Sequence, residues 1–307
     1  MEVIFIIKEK KLIPGIFDPV FKEIFTCLEC RNYTCSLISK ITNIDFDYLK
    51  ENLVVENTNL PIDRAKEKSK NTDVLLSVEG NIINLEMNNE YYPGLLERND
   101  LYAYRVMSRS MQRGESYAKY KTLIQINLDN FTRFKKEISV FKMMEVDTHE
   151  IESESLIKYH ISLPTIAKKY YNNKKLNELE KMLFLIITRE IKDLEKISRG
   201  DEILMEYEKK IKDLSEDNLY VNLYDEEQEA RMIQNAKDEY RDKLATERGL
   251  KKGMERGLKQ GIEQGIEQGI EQEKLEIAQN MLKENMDKDL IIKLTGISEE
   301  KLKNISK

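Results

Sequence analysis

The chain has 307 residues, 40% of them hydrophobic and 35% charged, and a formal net charge of −6. That length exceeds what one core usually holds and predicts two or three units, while no apolar run approaches the length of a membrane span. The opening "MEVIFIIKEKK" is too short for a secretory signal and lacks a cleavage site, so the expectation is a soluble cytoplasmic protein.

In chain order, "FDPVFKEIFTCLECRNYTCSLISKI" has helical apolar spacing, with Asp18 expected as N-cap and Pro19 at the first helical position. Cys27, Cys30 and Cys35 fall in this stretch, but a zinc site needs four ligands and the chain has only His149 and His160 to add. Reduced thiols are expected there, and so few histidines leave little for Ser–His or Cys–His hydrolytic chemistry. "NLVVEN" predicts a short strand, followed by the basic stretch "DRAKEKSKN" and a hairpin over "TDVLLSVEGNIINLEMN". "PGLLERNDLYAYRVMSRSMQRG" predicts a helix started by Pro93 and stopped by Gly114. "KTLIQINL", "EISVFKMMEV" and "IKYHISL" read as strands, closing an α/β domain over 12–164.

Residues 165–245 read as an amphipathic helical region, with Leu179, Leu183, Ile186, Ile187, Ile191 and Leu194 as its apolar face. Within it, residues 201–230 carry eleven acids and three lysines, a net of −8, so the rest of the chain sums to +2. The overall negative charge therefore does not exclude nucleic acid as a partner. Over 246–272 glycine recurs at 249, 253, 257, 261, 265 and 269. In a helix each glycine costs close to 1 kcal/mol relative to alanine. The segment is either a self-associating helix or a linker. Residues 273–307 predict a small helical module in which "LTGISEEKL" has the look of a helix-turn-helix element, with a helical cap or interaction module as the other reading.

The hairpin is the informative segment. Val74, Leu76 and Val78 alternate with other residues, as do Ile83, Leu85 and Met87. A two-residue turn at Gly80-Asn81 predicts Val74 opposite Met87, Leu76 opposite Leu85 and Val78 opposite Ile83. Asp73 then falls opposite Asn88 with Glu86 one pair along, and the three converge on one patch. Two carboxylates so placed suit Mg²⁺, which takes oxygen ligands and keeps waters for a phosphate to displace. The competing reading is an exposed sheet face with ordinary acids. Arg98, Tyr102, Arg105 and Arg109 follow at helical spacing, and with Lys68 and Lys70 they form a candidate grip on a nucleic-acid backbone. Alternatively, the arginines pair with Glu97 or Asp100.

Asp73 and Glu86-Met87-Asn88, set in helix–strand–hairpin–helix–strand order, resemble the PD-(D/E)XK nuclease superfamily. With "FDPVFKEIF", "ERNDLYAYRVMSRSMQRGESY" and the glycine-spaced tail, the chain more narrowly resembles the bacterial Rpn-type recombination-promoting nuclease/transposase family. The resemblance implies an αβββαβ restriction-endonuclease-like core and a Mg²⁺-dependent DNA endonuclease, with Mn²⁺ as a substitute ion. It implies Asp73 and Glu86 as metal ligands, with the Met87 carbonyl joining them, and Glu23 as a candidate accessory acid, Asp18 being the other. Asn88 stands where the superfamily has lysine and would orient the attacking water. Either Lys22 or Arg98 replaces the missing cation, or the protein is a slow or inactive nuclease scaffold acting in DNA binding or assembly. The expected partners are DNA and further copies of the chain.

Overall fold

The computed structural model describes residues 12–56, 59–60, 70–110, 114 and 116–305. Three helices, α1 (Asp18–Thr26), α2 (Arg31–Thr42) and α3 (Phe46–Asn52), precede a short strand β1 (Val54–Val55). Strands β2 (Asn59–Leu60) and β3 (Lys70–Asn71) pair as a separate ladder ahead of the hairpin β4 (Val74–Val78) and β5 (Asn81–Asn88). Helix α4 (Leu95–Arg109), strands β6 (Thr122–Asp129), β7 (Ile138–Met144) and β8 (Ile151–Ser162), and helices α5 (Leu163–Tyr171), α6 (Glu178–Ile187), α7 (Ile191–Ser198) and α8 (Glu202–Glu216) follow. Helix α9 runs Asn218–Lys283, and α10 (Lys288–Thr295) and α11 (Glu299–Ile305) end the described chain. Lys68 lies outside the described residues, and Lys70 enters only through the backbone of β3.

Local sequence explains most of these boundaries. Pro19 sits in the first turn of α1, but Phe17 is the N-cap and Asp18 is already helical, so the helix starts one residue earlier than an Asp18 cap requires. Helix α4 starts after Gly94, which takes a left-handed φ of 93° that Pro93 could not adopt. The apolar run expected as one amphipathic face is divided at Thr188–Glu190 into α6 and α7, and α6 opens with a reciprocal Asn177/Glu180 capping box.

The main sheet has the order β1-β4-β5-β6-β8-β7, in which the β5–β6 and β6–β8 pairings are parallel and the remaining pairings antiparallel. Helix α4 is the crossover between the parallel strands β5 and β6. The hairpin register corrects the expected one. Val74 pairs with Leu85, Leu76 with Ile83 and Val78 with Asn81, because the two-residue loop is Glu79-Gly80, with Gly80 at φ 77°. The offset is two residues, so every side chain keeps its expected face.

One sheet face carries Val74, Leu76, Ile83, Leu85 and Met87 into a core shared with α1, α2 and α5–α8. On the other face, Leu75, Ile82, Leu123 and Leu156 meet Ala103 and Val106 of α4. The hairpin is therefore covered on both sides, and the reading of an exposed acidic face does not hold. Gly15 lets the chain pass against α6 and α8: a Cβ there would collide with the Tyr207 hydroxyl and stand 3.1 Å from the Ile186 carbonyl. Gly15→Ala is expected to destabilise the fold by ~1–3 kcal/mol, as urea melts would read.

The chain divides into two compact units, Met1–Glu227 and Gln228–Lys307, so helices α5–α8 belong to the same unit as the sheet. In the second unit the glycine segment is helical throughout as part of α9. Ala278 near the end of α9, Ile291 of α10 and Leu302 of α11 form its core with Ile297. Asp287 caps α10, and Gly296 ends it at φ 68°. Among the described residues no helix is long and apolar enough to cross a membrane.

Candidate functional site

Asp73 lies one residue before β4, across from Glu86 if the observed register is extended by one pair. Its carboxylate accepts a 2.8 Å hydrogen bond from the Met87 backbone N–H, which holds it against β5. Glu86 points to the α4 side and is only 1% exposed. Its Oε1 accepts from Asn84 Nδ2 at 3.0 Å, and its Oε2 lies 4.0 Å from Arg98 Nη2. Burial raises the pKa of Asp73 to about 6, against the lowering pull of the Met87 N–H, Lys22 and Arg98, with the Asp18 charge adding to the rise. Burial, then the nearby Asp73 charge, raises Glu86 to about 8. Two carboxylates this close and this dry titrate as a pair and retain a proton near neutrality.

Asn88 is placed differently from the water-orienting role expected of it. Its Nδ2 donates to Asp129 Oδ1 at 2.8 Å, and its Oδ1 accepts from Asn99 Nδ2 at 3.3 Å, so both ends of the amide are engaged. Asp129 Oδ2 lies 2.8 Å from His160 Nδ1. These groups belong to a buried polar layer between the sheet and α4. Parallel register aligns three rows across β5, β6 and β8: Asn84, Gln125 and Lys158; Glu86, Asn127 and His160; and Asn88, Asp129 and Ser162. Asn99 of α4 bridges Asn88 and Asn127, and Gln125 also donates to Asn127. The layer is linked side chain to side chain, yet the Asn84 Oδ1, Asn99 Oδ1 and Gln125 Oε1 atoms are buried without a hydrogen-bond donor, so its amides are engaged mainly through their N–H groups. Sequence reasoning passed over Gln125, Asn127 and Asp129, although their spacing of two in "QINLD" places them on one strand face.

The other candidates separate. Glu23 pairs with Lys210 of α8 at 2.7 Å, whereas Asp18 is the acid whose charge acts on Asp73. Arg98 is the stripe residue that stands at the acids: its Nη1 donates to the Tyr92 hydroxyl at 3.1 Å, and its guanidinium lies 5.3 Å from the Tyr102 ring centre. Arg105 and Arg109 are half-buried further along α4 and have partners of their own within the protein. Asp100 pairs with Lys158 at 2.7 Å. Among the described residues no three Asp, Glu, His or Cys side chains come together as a metal cage. The donor set still fits a hard divalent ion, since half-buried Asp73 and buried Glu86 bring two carboxylates together in a desolvated spot where a cation favours their charged forms, and Mg²⁺ completes its shell with water.

Two family models match the chain. The PD-(D/E)XK nuclease family transposase model matches residues 16–243, and the Rpn/YhgA-like nuclease family C-terminal HTH domain matches residues 271–307. No curated protein and no solved structure matches.

Proposed function

The chain belongs to the PD-(D/E)XK nuclease family transposases, and from that premise we propose that it is a metal-dependent DNA endonuclease acting in recombination or transposition, in the cytoplasm with its substrate. The observation that carries this reading is the pair of half-buried Asp73 and buried Glu86, with Arg98 4.0 Å from Glu86 and the charges of Lys22 and Arg98 acting on Asp73. In this reading the two carboxylates hold Mg²⁺ or Mn²⁺ together with the Met87 carbonyl, which shares a strand edge with the N–H that Asp73 already engages. A bound ion supplies a more acidic water and stabilises charge on a phosphate. Arg98 faces that phosphate. Its Nε is a buried donor without an acceptor, suited to an anionic oxygen. Asn88 is a positioning residue here, and the work of the missing lysine falls to Arg98.

Purified protein is expected to nick supercoiled plasmid in Mg²⁺ or Mn²⁺ and not in EDTA. A second reading, an inactive nuclease scaffold that binds DNA, draws on the asparagine at 88 with its amide already engaged. Intact plasmid under every metal, with salt-sensitive binding retained, would replace the first reading by the second.

The tail supports assembly. HTH domains as a class bind DNA through the first turn of the second helix. In this chain α11 opens with Glu299 and Glu300, which favours a protein-facing role for the module. Leu250, Met254, Leu258, Ile262, Ile266 and Ile270 stand exposed along α9. Around them residues 248–260 carry five basic residues and one acid, whereas residues 263–273 carry four acids. Antiparallel pairing of two copies about Gly261 sets opposite charges together, and a parallel pair does not. Light scattering on the full chain should report a dimer. Reversing Lys251, Lys252 and Arg256 to Glu should weaken it, and adding Glu263→Lys, Glu267→Lys and Glu271→Lys should restore it.

A further inference from the structure

The loops after β5 and β6 leave the sheet side by side, joined by the Asn130 N–H donating to the Asn88 carbonyl at 2.9 Å. They emerge at the C-terminal ends of two parallel strands, the end where Glu86, Asn88 and Asp129 lie. The first loop carries Tyr91 and Tyr92, which are 47% and 42% exposed. Neighbouring tyrosines left this open are not explained by packing, since single exposed aromatics are ordinary but a cluster is not. Arginine from elsewhere meets each of them. Arg133, on the second loop, donates to the Tyr91 hydroxyl at 2.5 Å and lies 4.9 Å from the Tyr91 ring centre. Arg98 donates to the Tyr92 hydroxyl and stands 4.0 Å from Glu86. Phe131 supports Tyr91 from behind at 5.5 Å between ring centres. The partners of Arg133 are aromatic rings and a hydroxyl, and among the described residues no carboxylate pairs with it. The ridge thus runs from the acid pair outward through Arg98, the two tyrosines and Arg133, aromatic groups flanked by a guanidinium at each end.

We propose that Tyr91, Tyr92 and Arg133 form a nucleotide subsite that takes unpaired bases on the tyrosine faces and the intervening phosphate on Arg133. The strand presented to Asp73 and Glu86 is then single-stranded or a flap, not intact duplex. This inference rests on the nuclease reading and names its substrate class. Stacking on tyrosine requires a free base face, which duplex DNA covers with neighbouring pairs. Arginine supplies both a phosphate fork and a stacking plane, so the pairing of the two residue types suits a flexible strand more than a rigid one.

The test is fluorescence anisotropy on the full chain in EDTA, where no cleavage intervenes, with a labelled single-stranded oligonucleotide and a blunt hairpin duplex of equal length. The single strand is expected to bind at least roughly tenfold tighter. Tyr91→Ala with Tyr92→Ala should lower that affinity roughly ten- to a hundredfold while changing duplex binding little. Tyr91→Phe with Tyr92→Phe should keep most of it, since the ring remains. Equal binding of both DNAs, or alanine variants indistinguishable from wild type, overturns the subsite. Binding of neither DNA overturns the subsite together with the nucleic-acid reading beneath it. A protein that binds single strands through the tyrosines yet cleaves nothing keeps the subsite and loses only the catalytic claim.

Discussion

Glu86→Gln should abolish divalent-dependent cleavage and, in the same protein, raise the stability of the metal-free fold at alkaline pH. The activity loss is expected at about a hundredfold or more, with Asp73→Asn behaving alike, because each removes a negative ligand from a site of two. The stability gain follows from burial. Glu86 is pushed up to about 8 by desolvation and by the nearby Asp73 charge, and Asp73 is pushed up to about 6. A carboxyl whose pKa is higher folded than unfolded contributes stability that is complete below its ordinary range near pH 4 and is lost as pH rises through the folded value. The metal-free protein should therefore weaken progressively between roughly pH 4.5 and pH 8, by an amount on the order of a few kcal/mol. Urea melts across that window should show the decline in wild type and a shallower one in Glu86→Gln. Added Mg²⁺ at pH 8 should stabilise wild type and leave the variant unmoved, since binding to the folded state alone shifts the equilibrium. A Glu86→Gln protein that cleaves like wild type would remove the carboxylate pair from the mechanism.

Arg98→Ala should cost about a hundredfold in turnover, the usual scale for losing one preorganised donor to developing charge. Arg98→Lys should recover part of this, because the charge returns without the planar fork. A second signature separates this role from simple backbone binding. The Arg98 charge lowers the pKa of both Asp73 and Glu86, so its removal should carry the rising limb of the pH–rate profile to higher pH. A variant that loses only substrate affinity, with an unchanged pH profile, would make Arg98 a phosphate grip and return the search for the lysine substitute to Lys22.

Strand periodicity alone determined which side chains of the hairpin share a face, and that is why Asp73 and Glu86 could be paired before any coordinates. A register error of two residues left the assignment intact because side-chain direction repeats every second residue. The register itself came from the loop, where Glu79-Gly80 rather than Gly80-Asn81 makes the turn. The main element order was likewise legible, since apolar spacing is a local property, whereas the glycine segment read as either a helix or a linker and only the structure makes it part of α9. What the neighbours of each polar group are was not. Asn88 is committed to Asp129, 41 residues on, and to Asn99 on a helix that crosses above it. Glu23 and Asp18 sit five residues apart on α1, where Lys210 approaching from α8 claims the first while the second, paired with Lys22 on its own helix, acts on Asp73. Arg98, Arg105 and Arg109 share a stripe, yet only packing brings one of them to Glu86. Periodicity says which way a side chain points. Whether that direction is water, a helix or another charge depends on chain distant in sequence, and it decides both the raised pKa values of the acid pair and what the asparagine can do.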